Sequence, residues 1–301
     1  MILEYQSGSV SAQLSRTRKA LVRDVSFSLS EGDSLALIGE TGSGKTMIAL
    51  SIMRLLPRNV RQEGGEIRFC GGALPEGRAI RRLLGSQIVY IPQNGSEFLD
   101  PSKRVRRHLY DSLRKNGVKP SALKSAALRR LADAGFEAPE SILDQYPFQL
   151  SGGMAQRVTI ALAACGEPKL ILADEPTNGL DRAARERFLS LLESLFPNAA
   201  RLLITHDVSV AALCGRTLVL CGGKMMEQGP SDAILGAPRH PYTRALIASL
   251  VENGMAETPR LRGGESPCPF YRRCAAAKEA CLSGEPPLRR AGNVEWRCCA
   301  T

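Results

Sequence analysis

Two short stretches carry residues whose types and spacing suit phosphate chemistry. Gly39-Glu40-Thr41-Gly42-Ser43-Gly44-Lys45-Thr46 fits the pattern GxxxxGK[ST]. It stands between an apolar run at 34–38 and an apolar stretch at 47–56 that reads as a helix, the context the pattern requires. Glycines let backbone N–H groups wrap an anion without Cβ collisions, and the start of a helix adds partial positive charge. Lys45 is then placed to reach the β- and γ-phosphates of a nucleotide. Thr46 offers a hydroxyl to Mg²⁺, an ion that keeps most of its waters and needs few protein ligands. The second stretch, Leu170-Ile171-Leu172-Ala173-Asp174-Glu175, is an apolar strand ending in two carboxylates. Asp174 suits the metal and Glu175 suits a base that polarises an attacking water. A strand-terminal acidic pair is weak evidence alone, but with the glycine loop upstream it points to nucleotide hydrolysis.

A third stretch decides the family: Leu150-Ser151-Gly152-Gly153-Met154-Ala155-Gln156-Arg157. Ser151 and the small glycines can open a helix whose N–H groups face an anion. The stretch resembles the LSGGQ signature of ABC ATPases, with Met154 at the usual Gln position. The resemblance implies an α/β fold, a P-loop ABC ATPase cassette with an inserted helical subdomain, and it implies ATP and Mg²⁺. It places ATP on residues 39–46 and, from an opposing subunit, on Ser151, Gly152 and Gly153. Gln93, in Ile91-Pro92-Gln93, resembles the Q-loop glutamine and would touch Mg²⁺ together with Thr46 and Asp174. Asp181, in Asn178-Gly179-Leu180-Asp181, resembles the D-loop aspartate that bears on the other subunit. His206, in Thr205-His206-Asp207, resembles the switch histidine. Catalysis would thus rest on Glu175, His206 and Gln93. Family members sandwich two nucleotides between two cassettes, so a monomer is expected to be nearly inactive. An aromatic platform for adenine is common in the family. Here Ala12 or Leu14 falls at that place, with Tyr5 as a substitute.

The positioning elements follow from the hydrophobic pattern. Apolar runs at 34–38, 170–173, 202–204 and 217–220 alternate with helix-like segments such as 182–195, which is the alternation of a parallel α/β sheet. Residues 95–164 are rich in Leu, Ala, Arg and Lys at helical spacing and read as the helical subdomain. The expected division is an ATPase domain over 1–237 and an extension over 238–301. A chain of 301 residues with 44% hydrophobic content can bury one sizeable core. No apolar run approaches the roughly 18 residues of a membrane helix. The N-terminus lacks a secretory pattern, so a cytosolic location without disulfides is expected. The net charge of +10 does not select a partner, and the cluster Lys103, Arg104, Arg106, Arg107 reads as a charged helix face.

The tail narrows the resemblance. Glu227-Gln228-Gly229-Pro230 and Pro238-Arg239-His240-Pro241-Tyr242-Thr243-Arg244-Ala245-Leu246 are similar to segments of the oligopeptide, dipeptide and nickel importer ATPases. Within that group, residues 56–67, including 60–66, look closer to nickel-type subunits, as does the missing adenine aromatic. Cys268, Cys274, Cys281 and Cys298, with Cys299 adjacent, resemble cysteines thought to bind a 4Fe–4S cluster in peptide-importer ATPases. Four thiolates suit that cluster or tetrahedral zinc, and unligated thiols remain a third reading. The extension has little apolar content, so a metal would order it, and the phosphate loop is expected to lie in a separate core. The resemblance further implies a second ATPase subunit in a heterodimer, two membrane permease subunits, an extracytoplasmic binding protein acting indirectly, and a place at the cytoplasmic face of the inner membrane. The alternative is a soluble ABC ATPase acting on ribosomes or nucleic acid. Those proteins usually carry two fused cassettes or a long coiled-coil insertion, and neither is present; no nucleic-acid partner is expected.

Overall fold

A computed structural model describes residues 1–14, 17–249, 260 and 263–300. Its strands are β1 (Leu3–Leu14), β2 (Thr17–Leu29), β3 (Ser34–Ile38), β4 (Val60–Phe69), β5 (Gly72–Ala73), β6 (Ile88–Ile91), β7 (Leu170–Asp174), β8 (Ala200–Thr205), β9 (Arg216–Cys221), β10 (Lys224–Pro230), β11 (Leu288–Ala291) and β12 (Val294–Arg297). They form an antiparallel sheet of order β2-β1-β4-β5 and a second sheet of order β11-β12-β10-β9-β3-β8-β7-β6. In the second sheet β6, β7, β8, β3 and β9 run parallel, while β10, β12 and β11 add antiparallel strands at one edge.

The central strands are apolar because both faces are covered. Along β3, Leu35 and Leu37 face a core shared with the antiparallel sheet and the helix Lys45–Ile52. Ala36 and Ile38 face the opposite core, which continues into the helical region. That region holds Val105–Lys115, Leu123–Asp133, Pro139–Leu143 and Gly152–Ala163. Leu109 and Leu113 of one helix and Leu123, Ala127 and Leu131 of the next are buried at helical spacing. The basic cluster lies on the exposed side and is paired: Lys103 with Asp100 at 2.9 Å, Arg106 with Asp144 at 2.7 Å and Arg107 with Asp111 at 3.1 Å.

Two expectations change. Tyr5 is no adenine platform: its ring is fully buried, stacked on Phe27 at 5.1 Å, and its hydroxyl bonds Ser51 at 3.1 Å. The extension's described residues, in turn, pack into the cassette's own core instead of standing apart from it. Tyr242, Phe270, Cys274, Trp296 and Cys298 belong to the same buried cluster as Ile38, Ile91 and Ala173. β12 pairs with β10 through Glu227 and Trp296, so the tail gains its order by extending an existing sheet.

Candidate functional site

In-register parallel pairing brings several strand ends to one edge. Ile38 stands beside Thr205, Ile91 beside Ala173, and Asp174 beside Ile204, so the loops after β3, β6, β7 and β8 open together. The glycine loop leaves β3 with Gly39, Gly42 and Gly44 all at positive φ, where a side chain is strained. Close approach adds a second reason at two of them. A Cβ on Gly39 would stand 2.1 Å from the Leu220 carbonyl oxygen, and one on Gly44 would stand 2.5 Å from that of Leu21. Gly44 caps the helix Lys45–Ile52. Among the described residues the buried Ser43 hydroxyl has no partner, and a phosphate oxygen in the loop would satisfy it.

Lys45 is buried, and its Nζ donates to the carbonyl oxygens of Gly39 at 2.7 Å and Glu40 at 3.1 Å. Burial pulls its pKa down, while the charges of Glu175, Asp174 and Glu40 push it back up. Asp174 is buried at the end of β7, which raises its pKa; a hydrogen bond from Thr46 opposes that shift, and the like charge of Glu175 adds to it. Thr46 and Asp174 are therefore in contact, as a shared Mg²⁺ would need. Both line a cleft of about 860 Å³ with Gln93, Gly152, Gly153 and Gly179. Tyr90 also lines it and donates its hydroxyl to Asp174 Oδ2 at 3.4 Å.

Glu175 follows the strand with φ of 47°, a left-handed conformation that is unusual for a residue with a side chain. Its backbone N–H donates to Ile204 O at 2.8 Å. Its carboxylate accepts the Nδ1–H of His206 at 2.8 Å. That pair leaves the imidazole exposed, with Nε2 directed away from the carboxylate, so it can hold the base in place.

Ser151 caps the helix Gly152–Ala163, accepting the Met154 N–H at 3.3 Å. Cβ atoms added to Gly152 or Gly153 would meet nothing within 4 Å. Packing within the chain therefore does not require glycine there, whereas close approach of another molecule would. Asp181 accepts the Ala184 N–H at 2.8 Å as the cap of the helix Arg182–Leu195, so it also has an intrachain task. Sequence reasoning missed the tie between signature helix and Q-loop: the buried Gln156 donates to Pro92 O at 3.1 Å. A Cβ on Gly95 would lie 2.7 Å from the Ala155 backbone, which holds the two segments together. Tyr90 was missed as well; its only clue was a polar hydroxyl in an otherwise apolar strand.

Among the described residues no three His, Cys, Asp or Glu side chains are grouped to hold one metal ion. The four cysteines nevertheless share a neighbourhood. Burial pushes the Cys268 thiol up to about 11, with Cys274, Cys281 and Cys298 close enough to raise it further. Backbone N–H groups of Lys278 and Ala300 donate to the sulfurs of Cys281 and Cys298 at 3.5 and 3.3 Å.

A parallel sheet whose strand ends deliver this loop, this acidic pair and this glycine-opened helix to one cleft is the architecture of an ATP-binding cassette of the ABC class. Residues 22–178 match the family described as ABC transporter, and residues 226–281 match the oligopeptide/dipeptide transporter C-terminal region. The dipeptide transport ATP-binding protein DppD of Haemophilus influenzae is 34% identical over 312 residues, covering 99% of this chain and 94% of that protein. DppD of Escherichia coli is 35% identical over 279 residues, covering 88% of this chain and 85% of its own. Among solved structures, an ATP-binding subunit of an ABC transporter aligns with a TM-score of 0.63 at 27% identity, covering 78% of this chain and 92% of that one. A dimeric ATP-binding cassette in a post-hydrolysis state with ADP and Pi aligns with a TM-score of 0.68 at 24% identity, over 76% of this chain and 99% of that one, a likeness of fold. The chain belongs to the ATP-binding subunits of the oligopeptide/dipeptide ABC transporter family, and its reaction is ATP hydrolysis.

Proposed function

We propose that this subunit energises import of dipeptides or oligopeptides across the cytoplasmic membrane, paired with a second ATPase subunit beneath two membrane permease subunits. The observation that carries the engine is the Glu175–His206 pair at 2.8 Å beside Asp174 and Thr46. In this reading residues 39–46 cradle the triphosphate, and Thr46, Asp174 and Gln93 hold Mg²⁺. Glu175 takes the proton of the attacking water and His206 keeps the carboxylate aimed. Ser151, Gly152 and Gly153 complete the site of the opposing subunit, and Asp181 sits at the same interface. We assign residues 1–237 to the ATPase unit, with its helical part over 95–164, and 238–301 to the extension. Among the described residues no helix is long and apolar enough to cross a membrane, so a peripheral place on the inner face fits. Exposed Phe98 and Phe148 on the helical region offer apolar surface to a permease.

The resemblance of residues 60–66 to nickel-type subunits carries no weight for cargo. That segment lies in β4, paired to β1 in the antiparallel sheet, and the relatives named above are dipeptide transporters. Reconstituting the transporter and measuring ATPase stimulation with the binding protein tests the assignment. Stimulation by short peptides is expected. Stimulation by nickel or a nickel chelate alone would overturn the peptide assignment.

The extension's cysteines support a second, structural cofactor. Cys268, Cys274, Cys281 and Cys298 would hold a 4Fe–4S cluster, with the backbone N–H groups at Cys281 and Cys298 favouring thiolate. Bound there, the cluster would cross-link the extension. Anaerobically purified protein should be brown and carry about four irons and four sulfides per chain, and Cys274→Ser should bleach it. Stoichiometric zinc without iron, or an ordered tail without either, would reject the cluster.

A further inference from the structure

Glu40, the second residue of the phosphate loop, is held from outside the loop at both main chain and side chain. Both holds come from the C-terminal segment. Its backbone N–H donates to the Tyr242 hydroxyl at 3.0 Å. Its carboxylate takes the Arg273 guanidinium in a two-point pair, Nη1 to Oε1 at 2.7 Å and Nη2 to Oε2 at 2.8 Å. Neither anchor is loose. Tyr242 is buried in the helix Pro241–Ala248, and its ring lies 5.3 Å from that of Phe270, which is buried as well. The Arg273 guanidinium lies over the Phe270 ring, 5.2 Å from its centre, and near the Cys221 thiol at the end of β9. Pro269 fills the space over Gly222, where a Cβ would come within 2.7 Å. The cysteine-bearing turn is thus wedged between the end of β9 and the phosphate loop.

We propose that Arg273 and Tyr242 are positioning residues for the nucleotide, through which order in the C-terminal segment sets the affinity of the phosphate loop for ATP. This inference rests on the ATPase reading above. Two physical effects act in the same direction. The Glu40 carbonyl accepts from Lys45 Nζ, so freeing Glu40 loosens the lysine that would meet the phosphates. Removing Arg273 also leaves the Glu40 carboxylate unneutralised beside a site that receives a polyanion. The pair is partly exposed, 29% at Arg273 and 45% at Glu40, so screening keeps the effect moderate. Asp174 and Glu175 stand at the end of β7 and His206 just after β8, none of them bonded to Arg273 or Tyr242, so the chemical step is expected to be unchanged. Coupling is reciprocal: if the segment favours ATP, ATP must favour the ordered segment.

The test uses the full chain and a non-hydrolysable Mg–ATP analogue. Calorimetry on Arg273→Ala should show a Kd about three- to tenfold higher, with KM rising alike and kcat of the assembled transporter within about twofold. Arg273→Lys should recover part of the loss, because one ammonium neutralises Glu40 but cannot make the two-point pair. Glu40→Gln combined with Arg273→Ala should lose less than Arg273→Ala alone. In the wild type, hydrogen exchange at residues 266–281 should slow when the analogue binds, and that response should vanish in Arg273→Ala. Should Arg273→Ala fail to fold, Tyr242→Phe keeps the ring and removes only the acceptor for Glu40 N–H; it should raise Kd and speed exchange at residues 40–44. Unchanged Kd in the folded variants, or no tail response to nucleotide, overturns the proposal. A wild-type chain that bound no analogue would instead sink the ATPase reading itself.

Discussion

Glu175→Gln in the assembled transporter is expected to bind ATP normally and to turn over about two to four orders of magnitude more slowly. Glutamine keeps the volume of the side chain and an oxygen that can still accept the His206 Nδ1–H, so the pair seen at 2.8 Å persists. What it loses is the basicity needed to take a proton from water. Binding is proposed to rely on other groups, chiefly the loop amides, Lys45 and Thr46, so nucleotide should accumulate unhydrolysed between two cassettes. Size-exclusion chromatography with ATP should show a nucleotide-loaded dimer that wild type does not retain. A Glu175→Gln transporter with near wild-type turnover would remove Glu175 from the mechanism.

Lys45→Ala is expected to fail one step earlier, at binding. Lys45 Nζ ties the Gly39 and Glu40 carbonyls together, and its positive charge stands among Glu175, Asp174 and Glu40. Without it the loop loses its internal brace, and the triphosphate would enter a site ringed by carboxylates. Truncating one member of a buried charged network costs about 2–5 kcal/mol, which is roughly thirty- to several-thousand-fold in Kd. Calorimetry with Mg–ATP measures this directly, and a Kd within threefold of wild type would contradict the role assigned to Lys45. The two variants separate the functions: one binds without turnover, the other does not bind.

Much of the site was legible in one dimension because its parts are local. A loop that wraps a phosphate must place glycines, lysine and hydroxyl within one turn of chain, and residues 39–46 do so. The buried parallel strands were legible for a similar reason, since a strand covered on both faces must be apolar throughout. The antiparallel sheet was not. β1 and β2 are interrupted by register shifts around Gly8 and Val10 and by left-handed residues at Ser7 and Asp24, which breaks the alternation that would announce a strand. Tyr5 misled for a related reason: its position along the chain does not disclose that its ring lies on the buried face.

Sequence alone therefore supplied the proposed chemistry, namely a loop suited to phosphate, a hydroxyl and carboxylate suited to a metal, a candidate base, and a helix opened by small residues. Tertiary structure decided which of them meet. Glu175 and His206 are 31 residues apart, Pro92 and Gln156 are 64 apart, Tyr90 and Asp174 are 84 apart, and Glu40 and Arg273 are 233 apart. No local spacing encodes such pairs. They exist because in-register parallel strands carry their loops to one edge, and because a hairpin 288–297 closes the other edge of the same sheet. That closure brings the cysteine segment against the phosphate loop, where the extension's weak apolar content had suggested separation.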